Sequence, residues 1–362
     1  FVVISASRQA LNDSLQSSAK IAAESGVEDA KRLIVYCYNK RQLGGGYSSA
    51  DDQKLCSQVI GKLSDELEGM KCDYILEQMK NKAGIDGVEE EDNGRGYRVR
   101  VGNNGGGKNE NNEYYQCLKI ATKTDNYQGV VNNLGKSVIV PLRVVDGNNQ
   151  AAVIDRLEIE WHRNVTGNDG DNPADMNGAR GTGLPPAGTW NNSNRPAVLR
   201  VERVGVPKGG FNLNDLAGSD TALTLRPSES GNGKGGYRLG NYEPQYPSGN
   251  KDKIAPNSQY HKGVPIVEAY CQSQSGSNKE YACKTIFNKE SLYTDKTYYL
   301  RINAIYRSTH FKITAYQGKN KLYFDGVQPL VDVTGRSSDS FSRIQARLKP
   351  SFDKNADSTN WW

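Results

Sequence analysis

The chain has few long apolar runs. The one that opens it, Phe1 to Ile4, stops at Ser5, and nothing in its 362 residues is long enough to span a bilayer as a helix. It has no CxxC pair and no histidine at metal-ligand spacing, which removes the usual sequence case for zinc. Histidine itself is scarce, with His162, His261 and His310 the only three. None lies in a nucleophile motif such as GxSxG, so the three read as surface or partly packed residues and the chain as a non-enzyme. There is no repeat of fixed period, which excludes a solenoid. The net charge of +5 is mild and permits a weak attraction to nucleic acid or anionic surfaces without demanding one.

What is abundant is glycine, asparagine and tyrosine. The 38 Gly and the 20 Tyr against 7 Phe point to β-structure with long decorated loops, because Tyr keeps a polar end at the surface. The mean hydropathy of −0.71 agrees. Two glycine-rich stretches imitate phosphate loops. "GNNGGGKN", Gly102 to Asn109, has Asn109 where Mg²⁺ binding needs Ser or Thr. "GNGKGG", Gly231 to Gly236, leads into no helix. Both read as loops.

Six cysteines form an even set, which fits disulfides in an oxidising compartment. Cys271 and Cys283 enclose a short polar loop between two strand candidates, so their pairing is expected. Cys56 and Cys72 on one unbroken helix would stand about 24 Å apart, beyond disulfide reach. Cys37, Cys56, Cys72 and Cys117 are therefore expected to tie a helical insert to the first helix and the first hairpin.

Periodicity divides the chain in three. Residues 1–38 read as one long helix, with Ile4, Leu11, Leu15, Ala19, Ala22, Gly26, Ala30, Leu33 and Cys37 on one side at 3.6-residue spacing. Asp13, Lys20, Glu24, Glu28 and Lys31 gather opposite, and Lys20–Glu24 and Glu28–Arg32 are i,i+4 charge pairs. Such a helix reaches about 55 Å. Its packing residues, Ile4, Leu11, Leu15, Ala22 and Leu33, make a narrow face that needs a close neighbour. Gly26 costs about 1 kcal/mol inside a helix, which close packing or local flexibility would explain.

Ser49 or Asp51 can cap a second helical segment, divided near Gly69. From residue 96 the period becomes 2. "YRVRV" and "YYQCLKIAT" form a hairpin, "KSVIVPLRVV" carries Pro141 as an edge or bulge signal, and "RLEIEWH" turns Leu157, Ile159 and Trp161 inward. Further strands run through "TYYLRINAIYR", "HFKITAYQG", "KLYFDG", "PLVDVTG" and "FSRIQARLK". The fold class is α+β: a long amphipathic helix over 1–45, a helical insert over 46–95, and a large antiparallel β domain over 96–362.

Two surface features invite ligands. The loop "GNDGDNPADMNG" gathers Asp169, Asp171 and Asp175, oxygen donors of the kind calcium takes, although Pro173 breaks EF-hand spacing. No other cofactor is expected. If Ile344, Ala346 and Leu348 point inward, Arg343 and Arg347 point outward, with Arg336 and Lys349 nearby. That basic strip reads either as a solvated face or as a track for a phosphate backbone.

The stretch "SASRQALNDSLQSSAKIAAESGVEDAKRLI" resembles the helix of type IV pilins, in particular minor pilins of the PilX type. "PLVDVTGRSSDSFSRIQARL" is similar to the closing strands of large pilin-like proteins. The resemblance implies a subunit of a surface filament, held in the inner membrane before assembly by an apolar segment ahead of Phe1, of which "FVVI" would be the tail. It further implies other pilin subunits as partners, with loops that contact a host-cell surface or DNA. A secreted or cell-wall adhesin or carbohydrate-binding module, and a pseudopilin of a secretion system, are the alternatives.

Overall fold

The computed structural model describes residues 2–42, 49–80, 87–90, 96–101, 113–132, 135–166, 170–177, 186–191, 194–207, 221–228, 266–273, 279–288 and 296–349, with the backbone alone for 2–11, 41–42, 187, 191, 207, 221–222, 266–268, 288 and 296. The two glycine-rich loops at 102–109 and 231–236, His261 and Asp169 lie outside the described residues. The fold is α+β. It divides into two compact units, Phe1–Thr124 with Asp325–Trp362, and Asp125–Phe324. Of the segments read from sequence, 1–45 and 46–95 fall within the first unit, and 96–362 runs through both.

The first unit begins with helix α1, Val2–Gln42. Helix α2, Ala50–Val59, follows, capped by Ser49 Oγ, which accepts from Asp52 N at 3.1 Å. The insert then breaks at Gly61, whose φ of +97° a side chain rarely adopts, so the interruption comes earlier than Gly69. A 3-10 turn at Ser64–Glu66 and helix α3, Tyr74–Lys80, complete it. Strands β1 (Val88–Glu90), β2 (Tyr97–Arg100) and β3 (Glu113–Thr124) lead to the unit boundary. β2 and β3 pair antiparallel, with Val99 opposite Tyr115.

The second unit carries β4 (Tyr127–Val131), β5 (Val138–Pro141), β6 (Val144–Val145) and β7 (Arg156–Arg163). A short helix α4 (Ala187–Asn191) precedes β8 (Val198–Pro207), β9 (Thr221–Ser228), β10 (Ile266–Cys271) and β11 (Tyr281–Asn288). β12 (Lys296–Ile305), β13 (Thr309–Gln317) and β14 (Asn320–Lys321) follow. The chain returns to the first unit along β15 (Tyr323–Ser337), and β16 (Ser340–Arg347) ends the described strands. The two candidates "KLYFDG" and "PLVDVTG" thus merge into one strand through Pro329.

In the first unit the sheet order is β1-β2-β3-β15-β16. One face carries Val331 and Val333 of β15 and Ile344 and Ala346 of β16, and α1 lies on it. The buried stripe of α1 holds Ala19, Ala22, Ala23, Val27, Ala30, Leu33, Ile34 and Cys37, wider than the stripe read from sequence. Each large side chain in it contributes about 1.5–3 kcal/mol before entropy. The alanines matter for another reason: they let the sheet come close. A Cβ on Gly26 would sit 2.6 Å from Val333 Cγ1 and 2.9 Å from Tyr115 Cγ. One on Gly335 would overlap the Ala19 carbonyl oxygen and the Ala23 backbone. Gly26 is therefore explained by close packing.

Charges on α1 rearrange relative to the simple i,i+4 reading. Lys20 and Glu24 stand 3.8 Å apart, but Glu28 takes Lys31 at 2.5 Å and Arg32 takes Asp29 at 3.5 Å. Lys31 is itself buried, because one turn of helix places it beside Val27 and Ile34 rather than on the polar side.

Three disulfides brace the two units. Cys37–Cys56 joins α1 to α2, with a Cα separation of 5.2 Å, and Cys72–Cys117 joins the insert to β3 at 4.5 Å. In the second unit Cys271 and Cys283 face each other across antiparallel β10 and β11, 4.1 Å apart at Cα. Disulfides of this kind persist outside the reducing cytosol. Among the described residues no helix is long and apolar enough to cross a membrane.

The sheet of the second unit runs β14-β13-β7-β11-β10-β9-β8-β12-β5, with β4 also on β13. Among the described pairs in it, only β9 and β10 run parallel. β5 is terminal in that order, which accommodates Pro141. Leu157, Ile159 and Trp161 of β7 are buried, and Trp161 Nε1 donates to Ala197 O at 2.9 Å.

Candidate functional site

A polar cluster forms in the second unit where β7 ends beside β13. Trp161 of β7 pairs with Phe311 of β13, and the chain beyond each residue turns polar. After β7, residues 170–177 fold back on that strand. Asp171 N donates to Arg163 O at 2.8 Å, and Arg163 N returns a bond to Asp171 Oδ2 at 2.9 Å. The same carboxylate accepts from the Thr309 hydroxyl and from His310 N, both at 2.8 Å. His310 Nδ1 lies 2.9 Å from the other oxygen, Oδ1. One Asp thus closes a loop onto two strands.

His162 sits behind this knot and is fully buried, not a surface or partly packed residue. Its backbone N–H donates to Thr309 Oγ1 at 3.1 Å. Its ring Nε2 lies 3.0 Å from Asn172 O, and since a carbonyl only accepts, that nitrogen carries the proton. Nδ1 is then a bare lone pair, buried without a hydrogen-bond partner among the described residues. Burial pushes the imidazole down to about 4, with Arg307 and His310 adding to it and Asp171 and the Asn172 carbonyl opposing. His162, Asn172 and the nearby Tyr306 all have positive φ, at 63°, 65° and 77°. Such left-handed residues other than Gly persist only where their surroundings hold them.

The loop is anchored at further points. Asn164 Oδ1 accepts from Ala174 N at 3.3 Å, and Asn164 Nδ2 donates to Lys279 O at 3.2 Å. Asp175 N donates to Asn194 O at 2.9 Å, and Arg307 Nη1 donates to Asn194 Oδ1 at 2.6 Å. The Thr309 hydroxyl accepts from one backbone and donates to one carboxylate, so it bridges and is not set up as a nucleophile.

Of the three acidic residues read as calcium donors, Asp171 spends both oxygens on protein donors. Asp175 Oδ1 accepts from Asn177 N at 3.0 Å. Among the described residues no group of three or more His, Cys, Asp or Glu converges as a metal site. The basic strip is also largely engaged. Arg343 makes a two-bond fork on Asp332, Nε to Oδ1 at 2.8 Å and Nη2 to Oδ2. Arg347 Nη1 donates to Gln328 Oε1 at 3.3 Å, and Arg336 donates to Ser338 O at 2.7 Å beside the Phe341 ring. Lys349, at the end of the strip, is exposed.

For the helix-packing residues, Ala22 and Leu33 are buried and Leu15 is half-buried, while the side chains of Ile4 and Leu11 lie outside the described residues. The knot of His162, Asp171 and His310 was missed from sequence. Its only outward signal is histidine scarcity, and the Asp171–His310 contact spans 139 positions. Set against known proteins, the chain matches no family model, no curated protein and no solved structure.

Proposed function

We propose that this chain is a structural and adhesive subunit of a type IV pilus-like surface filament, of the minor pilin kind. The observation that supports this reading is where burial begins on α1. From Ala19 to Cys37 the helix packs its small-residue face on an antiparallel sheet, and over residues 12–18 no side chain is buried. A helix that continues beyond its own sheet needs another partner, because isolated helices are marginal in water. In a filament that partner is the same stretch of neighbouring subunits. The disulfides fit a subunit that works outside the cytosol. The large second unit would then be the part that meets a host-cell surface or DNA.

Immunogold labelling of intact cells with an antibody against residues 96–362 tests this reading, beside a strain whose protein lacks residues 1–18. Label along fibres that disappears in the truncated strain is the expected result. Label spread over the envelope in both strains, without fibres, would replace the filament by an adhesin carried on the cell wall or secreted. That second reading draws on the size of the second unit, which carries a ten-stranded sheet of its own.

A further inference from the structure

We propose that the knot of His162, Asn172, Asp171 and His310 is an acid-released clasp, which holds residues 170–177 on β7 and β13 near neutral pH and frees them when His162 gains a proton. The inference does not rest on the filament reading.

The geometry carries it. In the closed form the ring of His162 must be neutral with its proton on Nε2, since that nitrogen faces the Asn172 carbonyl. The next proton can enter only at Nδ1, which is buried and faces no acceptor among the described residues. The new cation would share the site with Arg307 from the turn before β13 and with His310 from β13. On its own strand, the neighbouring Arg163 is already paired with Glu280 at 3.2 Å, and Glu160 with Lys312 at 2.8 Å. Among the described residues the one opposing charge that acts on the ring is Asp171, and its oxygens are committed to Arg163 N, Thr309 and His310. Among the described residues, therefore, no acceptor meets the added Nδ1 proton of a charged His162.

The clasp also has a ready way to open. Asn172, whose carbonyl makes the contact, is exposed, so this partner of the ring can part toward water. Release moves the ring toward water, where histidine titrates normally. The sign is that of a group whose folded pKa is depressed: the closed form is favoured at neutral pH and loses ground as pH falls below about 6.5 toward about 4. With those two values the open population rises about twenty-fold between pH 7 and pH 5.

Hydrogen–deuterium exchange read by mass spectrometry, corrected for intrinsic rates, measures this directly at pH 7 and pH 5. Peptides from 163–177 and 306–311 should exchange about twenty-fold faster at the lower pH, while peptides from 19–37 in the first unit should not. In His162→Gln, whose amide can still donate to Asn172 O but does not titrate, the step should vanish. A step of the same size in His162→Gln would overturn the proposal, as would no step in the native protein. NMR titration of the native protein with ¹³C-labelled histidine keeps the test open should the variant fail to fold. One imidazole with a midpoint near 4 is expected, and all three midpoints near 6.5 would end the idea.

Discussion

The Tyr115 hydroxyl donates to Asp29 Oδ2 at 2.8 Å, tying α1 to β3 through a bond between the helix and the strand beneath it. Burial raises the Asp29 carboxyl above 3.8, against the pull of Tyr115 and Arg32. The Tyr115 hydroxyl, also raised by burial and by Asp29, stays a donor at all ordinary pH. A raised carboxyl stabilises fully below pH 3.8, and that contribution is lost as pH rises through the folded value. Tyr115→Phe removes the donor and should destabilise the protein by about 1–3 kcal/mol at pH 7. Denaturant melts should show a smaller deficit at pH 3, where Asp29 is neutral. An equal deficit at both pH values would mean that the charge plays no part.

Gly26→Ala offers a test by sign. In an exposed helix interior this change gains about 1 kcal/mol. Here the new methyl meets Val333 and Tyr115 at under 3 Å, and overpacking costs about 1–3 kcal/mol. A net loss in melting experiments is expected. A gain would show that the helix can lift from the sheet without penalty.

The disulfides should differ in worth with the loops they close. Replacing both cysteines by Ser should cost about 3 kcal/mol for Cys37–Cys56 and for Cys271–Cys283, and about 4 kcal/mol for Cys72–Cys117. Thermal melts of the three double variants give the ranking. Loss of Cys72–Cys117 should be the most damaging.

Arg343 and Asp332 should behave as one element. The Asp332 side chain is 3% exposed, and Arg343 supplies its fork of donors. The bond to Asp332 raises the Arg343 guanidinium further, so the pair stays charged. Arg343→Ala leaves a buried carboxylate without its partner and should lower the melting temperature by several degrees. Adding Asp332→Asn should recover most of that loss. A double variant no better than Arg343→Ala would mean that the two residues act separately.

Much of the first unit was legible in the sequence, because its signals are local. The spacing of Ala19, Ala22, Gly26, Ala30, Leu33 and Cys37 marks a helix face without any knowledge of what covers it. The stripe's true width, with Ala23, Val27 and Ile34, depends on the sheet, whose Val333 and Ile344 are some 300 positions away. Strand β15 reads from sequence as two candidates, the second opening on Pro329, yet the strand runs through that residue, whose carbonyl accepts from Leu348 N at 2.8 Å. The clasp in the second unit was illegible for a stricter reason. Asp171 lies in a loop whose composition suggests solvent, and only the fold brings Thr309 and His310 to it. The burial of His162 follows from the strands on either side, not from its neighbours in "EWHRN".

The second unit is spliced into the first between β3 and β15, neighbouring strands of one sheet. When β3 leaves the ribosome, its partner is still about 200 residues from being made. The smaller sheet therefore cannot close in the order of synthesis. Left to diffusion, those ends would meet across a very long loop, and such non-local pairings form slowly. A second unit that folds first turns that loop into a compact body and spares the first unit the search. Its role as chaperone for the helix-bearing sheet would be built into the chain, with closure of that sheet waiting on β15 and β16, Tyr323–Ser337 and Ser340–Arg347.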